Sequence, residues 1–217
     1  MLILIRSGQT RIDINFLGGK GTGKTTLLEH LAAKKGGVKS QSNGITSYTF
    51  AGVGKYDVTL NEIPDISAFF KALHDDGLGH DGAILCLSAA PGEEADPYST
   101  QEFISVLKDQ REYSTARLMV AVNKMDAAEW SEKRFEKLAK EWHELYQQKL
   151  GYDSHRTPIF AISSTEGDHI ADDVLHNGSK HMPWHIFWKV ERGEGSQYTL
   201  WQGIENTGVG YGRPFPE

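Results

Sequence analysis

The stretch of sequence that decides the fold reads Gly18-Gly19-Lys20-Gly21-Thr22-Gly23-Lys24-Thr25. It matches the pattern G-x-x-x-x-G-K-[ST], which forms a phosphate-binding loop when it lies between a strand and a helix. The flanking residues supply that context. Residues 11–17 alternate and then become apolar, as in a strand, and residues 25–35 have helical spacing up to Gly36-Gly37. The sequence therefore predicts a loop that binds phosphates.

The residue types in this loop suit a nucleotide with bound magnesium. Glycines let the backbone curl so that successive N–H groups point at the phosphates. Lys24 is expected to reach the β- and γ-phosphates, and the Thr25 hydroxyl to ligate Mg²⁺. Two roles are open for Lys20, a solvated side chain at the loop rim or a cation near the β–γ bridge. The nucleotide-binding candidates here are Gly19, Lys20, Gly21, Thr22, Gly23, Lys24, Thr25 and Thr26.

A second motif, Asn123-Lys124-Met125-Asp126, follows the apolar run 118–122. The Asp126 carboxylate can accept hydrogen bonds from the N1–H and the exocyclic amine of guanine, a pattern that adenine does not offer. Asn123 is expected to tie this loop to the phosphate loop, and the Lys124 stem to lie along the ring plane of the base. The two motifs together predict GTP or GDP, with Mg²⁺, as the ligand.

The rest of the chain alternates between strand and helix patterns. Predicted strands lie at 45–53, 56–60, 83–87, 117–122 and 158–162, and predicted helices at 66–73, 99–111 and 129–150. This alternation predicts an α/β fold with a central, mostly parallel sheet and helices on both faces. Residues 1–205 are expected to form one nucleotide-binding domain. A stretch rich in Gly and Pro begins at Gly203, and its end, 206–217, is expected to be a C-terminal tail or linker.

Composition narrows the class of protein. The 217 residues carry a formal net charge of −6, which disfavours a surface for wrapping nucleic acid, and no sequence-specific nucleic-acid binding is expected. No run approaches the roughly 20 apolar residues that span a bilayer. Cys86 is the only cysteine, so an internal disulfide is impossible. We expect a cytoplasmic protein without a membrane partner.

Several segments carry a family resemblance. They are 11–18, 26–31, 36–37, 120–126, 133–136, 151–152, 162–163, 167–168, 182–184 and 188–190. With the two motifs, they resemble the G domain of eukaryotic and archaeal elongation factor 1-alpha, a translational GTPase. The resemblance implies a P-loop GTPase fold of the TRAFAC translation-factor type, with the ribosome or another translation-related protein as a partner. It also implies that Ser163 lies in the loop behind the guanine base. Ser164 is a further nucleotide-binding candidate in this loop, although Ser164 and Thr165 depart from the family's residues there. Thr46 would be the switch I threonine that ligates Mg²⁺.

The resemblance fails around the γ-phosphate. The family has D-x-P-G-H at switch II, whereas this chain, aligned on Pro64, places Glu62 at the aspartate, Asp65 at the glycine and Ile66 at the histidine. Glu62 can still hold Mg²⁺ through water. An Asp65 carboxylate at ~5 Å from the γ-phosphate would be repelled by about 3 kcal/mol at an effective dielectric of ~20. Ile66 cannot hydrogen-bond to the attacking water. Gly21 also replaces a family aspartate near the phosphates.

Three functions stay open at this point. The first is a translation-factor-like module that binds GTP or GDP and hydrolyses GTP slowly or not at all. The second is a working GTPase that uses other groups, such as Lys20 or a residue of a partner. The third is a structural domain that binds no nucleotide, which the intact Lys24-Thr25 pair and the intact motif at 123–126 disfavour.

Overall fold

The computed structural model describes residues 10–53, 56–65, 67–68, 71, 81–93, 118–150, 157–171 and 199–209. The strands are β1 (Thr10–Leu17), β2 (Val38–Ser42), β3 (Ile45–Val53), β4 (Tyr56–Glu62), β5 (Gly82–Ser88), β6 (Leu118–Asn123) and β7 (Ile159–Ala161). The described helices are α1 (Lys24–Lys35), α2 (Glu132–Leu150) and α3 (Leu200–Val209). The helix predicted at 99–111, and most of the one predicted at 66–73, lie outside the described residues.

The seven strands form one sheet in the order β2-β3-β4-β1-β5-β6-β7. The strands β4, β1, β5, β6 and β7 run parallel to one another, and β3 and β2 join them antiparallel at one edge. The prediction of a mostly parallel sheet is therefore confirmed. Because β1 lies at the centre, the phosphate-binding motif that follows it lies at the carboxyl edge of the parallel strands, where α/β sheets bind ligands.

Helices cover both faces of the sheet, as predicted. Alternate residues of β5 show why its sequence reads as a continuous apolar run. Leu85 packs in a core with residues of α2, among them Phe135 and Trp142. On the opposite face, Cys86 packs in a core with residues of α1 and α3, among them Trp201. A strand that is buried on both faces has no polar positions to alternate with, which is typical of parallel sheets.

Polar side chains are buried between β3, β4 and β1. Asn61 and Asn15 are fully buried, and the Asn61 Nδ2 donates to the Asn15 Oδ1 at 3.1 Å. The Ser47 hydroxyl donates to the Asn61 Oδ1 at 2.7 Å. Buried polar groups need such partners, so a shift of one strand past another would break these bonds. They therefore hold the register that places Glu62 opposite Phe16 at the end of β1.

Strand β2 was not predicted from the sequence. All five of its residues are exposed, so it lacks the alternation that marks a half-buried strand. It pairs with β3 through a two-residue turn in which Asn43 and Gly44 have positive φ values of 51° and 81°. Asn-Gly is the preferred sequence for such a hairpin turn. This dipeptide was therefore the feature of the sequence from which the hairpin could have been predicted.

Helix α3 corrects the prediction that a linker-like stretch begins at Gly203. Gly203 lies inside this helix, and Trp201 and Ile204 beside it are buried in the core. A Cβ on Gly203 would lie 2.8 Å from the Phe160 ring, so glycine permits close packing of the helix. The helix continues to Val209, and residues 210–217 lie outside the described residues. The division into 1–205 and 206–217 stays a prediction.

Helix α2 begins three residues later than predicted. Glu129 and Trp130 both have a φ of 51°, which is left-handed rather than helical backbone. The helix starts after Ser131, whose hydroxyl accepts a hydrogen bond from the Arg134 N–H at 3.3 Å, as an N-cap residue does. None of the described helices is long and apolar enough to cross a membrane.

The burial of Cys86 gives a testable expectation. Its side chain is fully buried, and burial raises the pKa of the thiol to about 12. The thiol therefore stays protonated and unreactive from neutral to mildly alkaline pH. We expect iodoacetamide to leave the native protein unmodified and to add one label in concentrated urea, as measured by mass spectrometry. Rapid labelling without urea would contradict the packing described for β5.

Candidate nucleotide-binding site

A cleft of about 850 Å³ lies at the carboxyl end of the central strands. Its walls are the phosphate loop, the first residues of α1, residues 62–65 and the side chain of Lys124. The volume falls within the range of small-ligand sites. The cleft thus brings together three segments that lie far apart in the sequence.

The phosphate loop and the first residues of α1 line this cleft. Gly23 precedes α1 with a φ of 87°, no side chain caps the helix, and no acidic residue lies in its first turn. The first N–H groups of a helix have no partner within the helix, so an anion can satisfy them. A Cβ on Gly23 would meet the Asn123 Nδ2, so both the backbone conformation and the packing require glycine.

Lys24 curves back beneath the loop. Its Nζ donates to the carbonyl oxygens of Gly18 at 2.6 Å and Gly19 at 3.1 Å. Burial lowers the pKa of Lys24, and the nearby Cys86 and Glu62 oppose that shift. The ammonium is therefore held at the floor of the cleft, where a phosphate would offset the cost of its burial.

Thr25 and Glu62 meet across the cleft. The Thr25 hydroxyl donates to the Glu62 carboxylate, and the Ile63 N–H donates to the Phe16 carbonyl at 3.1 Å, which holds the end of β4 against β1. Hydroxyl and carboxylate oxygens are ligands that suit Mg²⁺. Among the described residues, no group of three or more His, Cys, Asp or Glu side chains is placed so that it could hold a metal ion by itself. The residues present fit a magnesium ion whose remaining ligands are phosphate oxygens and water.

Of Asp65 and Thr46, both predicted near the γ-phosphate, the structure places only Asp65 at the cleft. The Asp65 carboxylate accepts the Ala68 N–H at 2.8 Å, so it has a backbone partner while it still lines the cleft. Thr46 lies within β3, opposite Glu62, and is not among the residues that line the cleft. Its role as a magnesium ligand stays a prediction. Ile66 lies outside the described residues.

Asn123 joins the phosphate loop to the motif at residues 123–126, the base loop. It is fully buried at the end of β6, and its Nδ2 donates to the Thr22 carbonyl at 2.9 Å. Its Oδ1 accepts from the Ser164 N–H at 2.9 Å and from the Ser164 hydroxyl at 2.8 Å. The Asn123 amide thus connects its own loop to the phosphate loop and to the loop that contains Ser164. Ser163 beside it is buried, and its hydroxyl accepts the Glu166 N–H at 3.1 Å.

Asp126 holds a buried acceptor that is unused within the described part of the chain. Its Oδ1 is shielded from solvent and has no hydrogen-bond partner among the described residues. Leaving a buried acceptor unpaired costs free energy, so such an atom is expected to meet a donor from a ligand. The N1–H and amine of guanine are donors of this kind.

Sequence reasoning missed two residues beside this site, Ser88 and Glu93. The Lys124 Nζ donates to both oxygens of Glu93, at 2.6 and 2.9 Å, and the Ser88 hydroxyl donates to one of them at 2.7 Å. These two donors lower the pKa of the Glu93 carboxyl. The signal in the sequence was a Pro91-Gly92 turn after β5, but the turn does not reveal which cation the carboxylate meets.

Comparisons with known proteins agree with this geometry. The profile of the elongation factor Tu GTP-binding domain family matches residues 55–184. Elongation factor 1-alpha, oocyte form, from Xenopus laevis is 28% identical over 244 aligned positions, which cover 91% of this chain and 50% of the relative. Elongation factor 1-alpha from Coccidioides immitis is also 28% identical, over 91% of this chain and 49% of its own length. The chain thus spans about half the length of these relatives.

Solved structures show the same fold. Sup35 complexed with GMPPNP superposes with a TM-score of 0.57 at 17% identity, covering 91% of this chain and 45% of that one. The Saccharomyces cerevisiae Ski7 GTPase-like domain bound to GTP superposes with a TM-score of 0.64 at 15% identity, covering 91% and 49%. The chain belongs to the elongation factor Tu GTP-binding domain family. The predicted P-loop GTPase fold of translation-factor type is confirmed.

The three contacts of Asn123 predict that it stabilises the protein even without nucleotide. Asn123→Ala would leave the Thr22 carbonyl and the Ser164 donors without these partners, at a cost of about 1–3 kcal/mol in the free energy of unfolding. Urea denaturation of the nucleotide-free protein measures this loss. Gln41→Ala, on the exposed strand β2, is the control and should have no effect. An unchanged midpoint for Asn123→Ala would show that the amide does not join the loops.

Proposed function

We propose that this domain binds GTP and GDP with Mg²⁺ and hydrolyses GTP slowly or not at all. The observation that carries the proposal is the position of Asn123. It fixes the phosphate loop beside a base loop in which the Asp126 Oδ1 is a buried acceptor without a partner among the described residues. The hydrogen-bond donors for the phosphates and the acceptor for guanine are thereby held at a fixed distance from each other. A site that selects a guanine nucleotide needs both.

The phosphate end supports the same ligand. Uncapped N–H groups at the start of α1 and the buried Lys24 ammonium offer donors to an anion. Thr25 and Glu62 supply two oxygen ligands for Mg²⁺, fewer than the ion requires. We therefore propose that Mg²⁺ binds together with the nucleotide, because phosphate oxygens complete its coordination.

Weak hydrolysis follows from the residues at switch II. An isoleucine at position 66 offers no hydrogen bond to orient the attacking water. The Asp65 carboxylate stands at the cleft wall with its backbone partner Ala68, so a negative charge lies where the γ-phosphate would approach. The residues proposed for phosphate and base binding, Lys24, Thr25 and the motif at 123–126, match the family pattern, whereas Asp65 and Ile66 depart from it.

A working GTPase remains the second candidate, because of one observation about Lys20. This side chain is exposed and lines the cleft. Both roles open for it, a solvated rim residue and a cation near the β–γ bridge, agree with that position. Measurement of phosphate release separates them.

The cellular setting is proposed from the family alone. Membership in a translation-factor family supports a cytoplasmic protein that acts with the ribosome or another translation-related protein. The chain corresponds to about half of its elongation factor relatives, so the activity of those whole proteins is not transferred here.

A nucleotide titration tests the binding proposal. We expect the wild-type domain to bind GTP and GDP, and ATP much more weakly, in isothermal titration calorimetry with Mg²⁺. Asp126→Asn replaces an acceptor with a donor that faces the donors of guanine, so guanine affinity should fall by about 10- to 100-fold. The same variant should gain affinity for xanthosine diphosphate, whose 2-oxygen is an acceptor. If the wild-type domain binds no guanine nucleotide, the structural-scaffold hypothesis replaces this one.

Phosphate release tests the hydrolysis proposal. We expect little release from GTP by the wild-type domain, with or without ribosomes. Asp65→Gly combined with Ile66→His restores two of the three altered switch II residues and should raise the rate about tenfold or more, since a positioned histidine contributes at least that much. Lys20→Ala should change nothing. Fast wild-type turnover that Lys20→Ala abolishes would instead establish the second candidate.

A further inference from the structure

We propose that Glu93 is a positioning residue for guanine recognition, which fixes the side chain of Lys124 across the base-binding end of the cleft. The inference rests on the proposed function, because it assigns to Glu93 a part in binding the guanine nucleotide. Neither residue of the Ser88–Glu93 pair belongs to the two sequence motifs that define the site.

The contact between Glu93 and Lys124 is bidentate. The Lys124 Nζ lies 2.6 Å from one carboxylate oxygen and 2.9 Å from the other. The Ser88 hydroxyl donates to the nearer of these oxygens at 2.7 Å, so the carboxylate is itself held in place. Charge-assisted hydrogen bonds of this length are the stronger kind. The Lys124 ammonium is therefore held against Glu93, in a pair that is partly exposed to solvent.

The backbone delivers Glu93 to this position. The Glu93 N–H donates to the Ala90 carbonyl at 3.2 Å, which closes the turn that contains Pro91 and Gly92. Ala89, which precedes Ala90, is fixed by hydrogen bonds at both its N–H and its carbonyl. Its N–H donates to the Asn123 carbonyl at 2.8 Å, and its carbonyl accepts from the Arg134 Nε at 3.2 Å. The turn is thus built onto the strand that carries the base-recognition motif.

Both ends of the Lys124 side chain are therefore fixed. Its backbone adopts a left-handed conformation with a φ of 61°, directly after the buried Asn123. Its stem passes beside the phosphate loop, since a Cβ on Gly23 would lie 4.0 Å from the Lys124 Cε, and the residue lines the cleft. A lysine side chain loses much conformational freedom when it is ordered. Because Glu93 already orders the Lys124 side chain in the free protein, this entropy is not lost when the nucleotide binds. The base would then pack against an apolar stem that is preorganised.

Simple electrostatics predicts the opposite effect of Glu93 on binding. A carboxylate near the cleft repels the phosphates of an anionic nucleotide, so its removal would tighten binding. Positioning predicts that removal weakens binding, because a released Lys124 no longer packs along the base plane. The sign of the change therefore distinguishes the two effects.

The test uses Glu93→Gln, which removes the charge and keeps the size. We expect GDP to bind about 2- to 5-fold more weakly, with a faster dissociation rate, which is the range for a partly exposed ion pair. Inorganic pyrophosphate, which has no base, should bind at least as tightly as to the wild type. Stopped-flow fluorescence of a fluorescent GDP analogue and calorimetry with pyrophosphate measure these quantities.

Two further variants make the result specific. Glu141→Gln removes the same charge from an exposed pair with Lys137 on α2, and it should leave GDP binding unchanged. In a Lys124→Ala background, Glu93→Gln should have no additional effect, since the two residues act as a unit. Unaltered melting of nucleotide-free Glu93→Gln would exclude a general loss of structure.

The outcomes separate this inference from the proposed function. If wild-type domain binds no guanine nucleotide, both fail. If the wild type binds GDP and Glu93→Gln binds it equally or more tightly, only the positioning role of Glu93 is overturned. A loss of affinity that is equal for GDP and pyrophosphate would also overturn it, because the effect would then not depend on the base.

Discussion

The structure of the site depends on the hydrogen bonds of one buried amide. Asn123 has both a donor and an acceptor function, and it uses them toward different loops, Thr22 on one side and Ser164 on the other. Water cannot replace these contacts, because the side chain is fully buried. The relative position of the phosphate loop and the base loop is therefore a property of the folded protein before any nucleotide arrives. That rigidity is the physical basis for recognising both ends of one ligand.

Charges around the cleft divide according to the part of the nucleotide they would meet. Lys24 and the N–H groups of α1 would face the phosphates, whereas the Lys124 ammonium is paired with Glu93, so its stem rather than its charge would meet the base. Glu62 and Asp65 also line the cleft, and their carboxylates would add negative charge near a bound γ-phosphate. Such an arrangement favours holding a nucleotide over stabilising the charge that develops during phosphoryl transfer.

The hairpin of β2 and β3 changes what the region after α1 can do. A two-residue turn at Asn43-Gly44 leads directly into a strand that pairs with β4 along its length. Thr46 therefore has its backbone partners within the sheet. Ordered strands resist rearrangement more than a loop does, because each displaced residue gives up ladder hydrogen bonds. A move of Thr46 toward a magnesium ion would therefore have to break part of this pairing.

The sequence by itself determined six of the seven strands, helices α1 and α2, the sheet class and the two recognition motifs, because these depend on local periodicity and on residue types at fixed spacing. It missed β2, whose exposed residues carry no periodic signal, and it assigned Gly203 to a tail because glycine is a weak helix former. Only the tertiary structure brought Glu93 to Lys124, Thr25 to Glu62 and Asn123 to Ser164. The residues of each pair lie more than thirty positions apart in the sequence, so the strand order, the register and the loops that follow the strands set their contact.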